Sequence, residues 1–232
     1  MIFLDDILKE QYSVVKAYKN TEEKSIVLLR HNELKKEIIC RRFKGSGEVY
    51  KFLNNISFPN LPTIYEVLKT DDKVLVLEEY INGITVADVL LDGLYDEKGV
   101  KHIIKEVCNA LSVIHYYGIV HRDIKPENIM ITNDGKVKLI DFDASRFFKN
   151  GQSKDTEIIG TTGYAAPEQF GLAQSDERTD IFAVGVLMNV MLTGEHPSKK
   201  LYKGGLTKII EKCIQLDPQK RYRNTEDLKK SL

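Results

Sequence analysis

Two carboxylates, a carboxamide and a lysine stand close together in this chain. Asp123, Lys125 and Asn128 lie in the run HRDIKPEN (residues 121–128), and Asp141 lies in LIDFDAS (residues 139–145). Four residues separate Asp123 from Asn128, and an apolar run broken by Asn133-Asp134-Gly135 leads on to Asp141. Asn-Asp-Gly between two β-type runs (residues 128–132 and 136–140) predicts a tight hairpin. Such a hairpin brings Asp141 back beside Asn128. One carboxylate plus one amide oxygen suits magnesium, a hard cation that takes oxygen ligands and shares them with substrate phosphates. Asp123 is then left as a base near the metal. This is the arrangement of a phosphoryl-transfer site.

The elements that must position these groups change character along the chain. Residues 12–18, 25–30 and 37–43 alternate or cluster in Val, Ile and Leu between polar turns, which predicts strands. Val49, Phe52, Leu53 and Ile56 are spaced as on a helix over residues 48–56, and Phe58-Pro59 stops it. Residues 61–68 and 73–78 predict two further strands. From Thr85 onward the pattern is helical, with long helices over 98–117 and 180–192 and shorter ones over 206–216 and 225–232. The switch near residues 79–83 marks a hinge.

Bulk properties exclude several classes. Of the 232 residues, 42% are hydrophobic and 29% charged, which is ordinary for a soluble globular chain. With 34 basic and 34 acidic residues the net charge is zero, so no global field recruits nucleic acid or membrane. The longest apolar stretch, residues 181–192, contains Asn189 and is too short to span a bilayer. The start, MIFLDDILKE, carries acids where a secretory signal needs basic residues, so a cytoplasmic location is expected. Cys40, Cys108 and Cys213 form no CxxC pair and read as buried reduced thiols.

HRDIKPEN resembles the catalytic loop of eukaryotic-type (Hanks-type) serine/threonine protein kinases of bacteria. DFD at Asp141, Phe142 and Asp143 stands where such kinases carry DFG, and Ala165-Ala166-Pro167-Glu168 matches their APE segment in the correct order. The resemblance covers nearly the whole chain. It implies an α+β, two-lobed protein-kinase-like fold: one kinase domain over 1–232, with a β-rich N-lobe bearing one helix (about 1–80) and a mainly helical C-lobe (about 84–232). ATP and magnesium are the implied cofactors, and a protein bearing Ser or Thr is the implied substrate.

Residue by residue, the resemblance implies that Asp123 is the catalytic base and that Lys125 neutralises charge on the transferred phosphoryl group. Asn128 and Asp141 would hold the metal. Asp143, in place of the DFG glycine, is either a third metal ligand or an outward hydrogen-bonding residue. Thr161 in GTTGYAAPE resembles the threonine that contacts the catalytic aspartate and lysine. Ser153, Thr156 and Thr162 also fall in the activation-loop stretch, and Arg122 and Arg146 either receive a phosphate there or are packed and salt-bridged. Glu168 with Arg221, and Asp180 beneath the catalytic loop, resemble structural partners of the family.

The N-terminal part departs from the pattern. KAYKNTEEKS (residues 16–25) replaces the glycine-rich loop and contains no glycine. IICR ends at Arg41 where the family has the lysine of its V-A-I-K strand, and a planar guanidinium is not a conservative replacement for an ammonium. Glu48 is the expected partner of Arg41, and both are expected to bind the nucleotide. Only about a dozen residues separate the helix ending at Leu192 from the one starting near Leu206, so a full helix αG has no room. Two alternatives to an active kinase stay open: a pseudokinase that binds nucleotide or partners without turnover, and a small-molecule phosphotransferase.

Overall fold

The computed structural model describes residues 10–70, 73–148, 163–170 and 174–232. The chain divides into two units, Met1–Asn82 and Gly83–Leu232.

The first unit is an antiparallel sheet of five strands: β1 (Tyr12–Asn20), β2 (Lys24–His31), β3 (Glu37–Lys44), β4 (Ile64–Thr70) and β5 (Lys73–Glu79), in the order β1-β2-β3-β5-β4. Period-2 patterning sorts its side chains. Leu29, Ile38, Cys40 and Leu75 pack together on one face with Tyr12, Val27, Leu68 and Leu77. Arg41 and Phe43 point to the other face, towards the helix α1 (Glu48–Leu53). Six residues are too few for a helix to stand on its own propensity, so α1 depends on burying Val49, Tyr50 and Leu53. It ends three residues short of the expected Ile56, because the Asn55 and Ile56 amides bond back to the Phe52 and Leu53 carbonyls at 3.1 and 3.0 Å, the tightened geometry of a last turn. Strand β4 likewise starts later than expected. The Leu61 amide bonds to the Phe58 carbonyl at 3.0 Å and commits that residue to a turn.

The second unit begins with β6 (Gly83–Thr85) and α2 (Val86–Asp92), then the long α3 (Glu97–Tyr116). Strands β7 (Ile119–Val120), β8 (Ile129–Thr132), β9 (Val137–Leu139) and β10 (Arg146–Phe147) follow, and α4 (Glu177–Thr193), α5 (Thr207–Cys213) and α6 (Thr225–Ser231) complete it. Strand β8 pairs with both β6 and β9, and β7 with β10. Asp96 caps α3 by accepting from the Gly99 amide at 2.7 Å. Its buried residues Val100, Ile103, Ile104, Val107, Cys108, Leu111 and Ile114 recur at helix spacing. Helix α4 is buried on nearly all sides, starts with a capping box of Asp176 and Thr179, and stops at Gly194. A Cβ on its Gly185 would lie 2.4 Å from Cys213 Cβ, so glycine there sets how closely α4 and α5 pack.

Turns alone connect α4 to α5, so no further helix intervenes. Asn189, the polar residue in the apolar run, explains how so short a connection stays in place. Its Nδ2 donates to the Glu195 and Lys200 carbonyls, both at 2.8 Å, and its Oδ1 accepts from the Tyr202 amide at 2.8 Å. Glu97 of α3 holds the far end, accepting from Tyr202 Oη at 2.9 Å and the Gly205 amide at 2.5 Å. The three cysteines are all buried, and burial pushes the Cys108 thiol up to about 12.

Candidate active site

The hairpin forms as its turn chemistry requires. Gly135 takes φ 81°, and the Thr132 amide bonds to the Lys136 carbonyl at 2.9 Å. Ile129 then faces Leu139 across β8 and β9. One step beyond, the Ile140 amide donates to the Asn128 carbonyl at 2.9 Å, which sets Asp141 next to Asn128. Asp141 itself has φ 65°, a left-handed backbone that turns the chain directly after the strand.

Around Asp123 the polar side chains converge. Lys125 Nζ donates to Asp123 Oδ2 at 2.8 Å, and Asn128 Nδ2 donates to the same oxygen at 3.0 Å and to the Asp123 carbonyl at 2.8 Å. The 3-10 turn Pro126–Asn128 makes this possible by folding Asn128 back over the loop. With Nδ2 committed to Asp123, the amide oxygen of Asn128 is the atom suited to a cation. Among the described residues no three His, Cys, Asp or Glu side chains gather as a metal cage. One amide oxygen and the Asp141 carboxylate fit magnesium, which keeps several waters and takes phosphate oxygens rather than needing an all-protein site.

Buried groups beneath the loop fix its backbone. Asp180 of α4 accepts from the His121 amide (Oδ2, 2.9 Å), the Arg122 amide (Oδ1, 2.8 Å) and His115 Nε2 (Oδ2, 2.8 Å). Burial alone pushes the Asp180 carboxyl up, but the His115 hydrogen bond, the nearby histidines and the Arg122 amide outweigh it and hold it below the usual range. The His121 ring is fully buried against Phe142, with centroids 4.9 Å apart, and its Nε2 lies 3.1 Å from the Ile140 carbonyl. Burial holds the imidazole below its ordinary pKa of 6.5. Gln169 clamps the same segment, donating from Nε2 to the Arg122 carbonyl at 2.9 Å while its Oε1 accepts from the Ala166 amide at 2.9 Å. Neither Gln169 nor His115 stands out in the sequence; only their burial and spacing mark them.

Glu168 and Arg221 meet through two hydrogen bonds, of 2.6 and 3.0 Å, with Thr179 Oγ1 also donating to Glu168 at 2.9 Å. Arg122 is buried, and Arg146 lies on β10 opposite Val120. Ser153, Thr156, Thr161 and Thr162 lie outside the described residues.

In the first unit one expectation is corrected. Arg41 does not find its acid on α1: Glu48 is exposed. Arg41 instead donates from Nε and Nη2 to Glu78 Oε1 on β5, at 3.2 and 3.0 Å. The two residues are 3% and 5% exposed. Register is the reason. Ile39 faces Glu78 directly, and Arg41, two residues along the same face, is its diagonal neighbour within side-chain reach. Glu48 begins a helix whose inward positions go to Val49 and Tyr50. The turn that replaces the glycine-rich loop is tight, with the Thr21 amide and hydroxyl both bonded to the Lys24 carbonyl at 2.9 Å.

The fold and the residues just described define a protein kinase domain. The protein kinase domain model matches residues 9–227, and the chain belongs to that family, in its Hanks-type branch. It is similar to the probable serine/threonine-protein kinase CPE1738 of Clostridium perfringens, at 29% identity over 88% of this chain and 33% of the relative. PrkC of Bacillus subtilis is 27% identical over 89% of this chain and 35% of its own length. PknL of Mycobacterium tuberculosis is 35% identical over 69% of this chain and 40% of its own. The matches thus span a third to two fifths of these relatives.

Proposed function

We propose that this domain transfers the γ-phosphoryl group of ATP to serine or threonine hydroxyls of a protein. One observation carries the reading. The Asp123 carboxylate is gripped by Lys125 and Asn128, and the hairpin register sets Asp141 beside that Asn128. Asp123 orients the substrate hydroxyl and accepts its proton as the oxygen attacks phosphorus. Lys125, within 2.8 Å of that carboxylate, would meet the charge of the transferred group. Asn128 and Asp141 would hold magnesium, which neutralises phosphate charge when bound with ATP. Arg41 would bind the phosphates in place of the family's lysine. No helix among the described residues is long and apolar enough to cross a membrane. ATP use and three reduced, buried thiols favour the cytoplasm.

The test is magnesium-dependent transfer from labelled ATP to the protein itself or to a generic protein, with Asp123→Asn and Asp141→Ala beside the wild type. Transfer should fall at least about 100-fold in Asp123→Asn with ATP binding kept. In Asp141→Ala, binding and transfer should fall together. A second reading, a pseudokinase, is favoured by the acidic, glycine-free turn after β1, whose backbone cannot approach phosphates as a glycine loop does. Nucleotide binding without transfer in the wild type would establish it.

A further inference from the structure

In protein kinases the phosphate-binding strand cation is set by an acid on the following helix, and movement of that helix controls the pair. The first unit of this chain builds its pair differently. Both partners lie on adjacent antiparallel strands, Arg41 on β3 and Glu78 on β5, joined at 3.0 and 3.2 Å. The Arg41 guanidinium carbon also lies 6.0 Å from the centre of the Tyr50 ring, which packs in turn on Phe43 with centroids 5.5 Å apart. Two contacts of different kinds therefore fix the plane of the guanidinium. Glu78 follows four apolar residues, Val74 to Leu77, in KVLVLEE and is itself buried, where a carboxylate needs a partner.

We propose that Glu78 is the positioning residue for Arg41, doing from within the sheet what a helix acid does elsewhere, so that the pair forms whenever the sheet forms. This rests on the reading of Arg41 as the phosphate-binding cation. The Nε–Nη2 edge faces Glu78, so this carboxylate sets the orientation of the whole guanidinium plane. Because β3 and β5 are hydrogen-bonded neighbours, moving α1 does not separate the two charges. The exposed Glu48 has no part in the device.

The experiment compares wild type with Glu78→Asp, Glu78→Gln and the double variant Arg41→Met/Glu78→Gln. The double variant removes both charges, so no unpaired charge is left buried. Thermal unfolding, magnesium–ATP binding by calorimetry, and kcat and KM for transfer are measured on each. Glu78→Asp keeps the charge but draws the guanidinium back by one methylene. It should melt close to wild type yet lose about 10- to 100-fold in kcat/KM, as expected for a small misplacement near the reacting group. The double variant should stay folded and lose ATP affinity. If Glu78→Asp and Glu78→Gln both match wild type while the double variant loses ATP, Glu78 is only a packing partner and the inference is overturned. A double variant that binds ATP and transfers like wild type would instead remove Arg41 from the site, which overturns the underlying reading. If transfer is not seen, magnesium–ATP binding weaker in Glu78→Asp than in wild type supports the inference, and binding equal to wild type in both Glu78→Asp and Glu78→Gln overturns it.

Discussion

Asp180 holds Arg122 in a left-handed backbone conformation. The Arg122 amide donates to Asp180 Oδ1 at 2.8 Å while its φ is 69°, a value that a side chain of this size seldom adopts. The neighbouring His121 amide takes the other oxygen, so one buried carboxylate sets the path by which the chain enters the catalytic loop. Asp180→Asn keeps the shape but must turn an amide NH2 towards one of its donors. Each hydrogen bond to a charged group is worth about 1.5–3 kcal/mol, so a loss of that order is expected, together with reduced transfer. Urea unfolding and transfer assays on the same preparation check both.

His121 predicts a pH dependence of stability. Its folded pKa lies below the unfolded 6.5, so at mildly acid pH the unfolded state binds a proton that the folded state refuses. The stability it contributes is therefore intact above 6.5 and is lost as pH falls below it towards the depressed folded value. His121→Gln, which does not titrate, should show a shallower decline. The urea midpoint from about pH 7.5 to about pH 5.5 measures the difference, and equal slopes would show that His121 does not carry it.

Arg41→Ala is expected to destabilise the protein. A phosphate-binding side chain in an open cleft could be removed at little cost, but Arg41 is 3% exposed and faces a buried carboxylate. Stranding that charge should cost about 3–5 kcal/mol. Arg41→Lys keeps a cation but not the planar fork, so it should retain the fold and part of the activity. Chemical denaturation of the three proteins settles the order.

Arg221→Ala should behave similarly in the second unit. It would leave Glu168 buried with Thr179 as a neutral partner and should also cost about 3–5 kcal/mol. Pairing it with Glu168→Gln should recover part of the loss, which a double-mutant cycle reads directly.

The convergence of Asp123, Lys125 and Asn128 was legible in the sequence because these residues are local. HRDIKPEN and the Asn-Asp-Gly turn lie within one hairpin, so turn chemistry alone brings Asp141 to Asn128. Apolar periodicity likewise placed α3 and the five strands to within a few residues. The partner of Arg41 was not legible in that way, and Asp180 was placed beneath the loop by the family resemblance rather than by spacing. Glu78 is 37 residues from Arg41, and only the register of β3 on β5 makes them neighbours. Asp180 reaches His121 across 59 residues, as α4 packs beneath the loop. Sequence spacing therefore determined which polar residues gather around Asp123, because local backbone geometry fixes short separations. Strand register and helix packing decided what holds those residues, because burial forces each charged group to take the partner that the fold puts within reach.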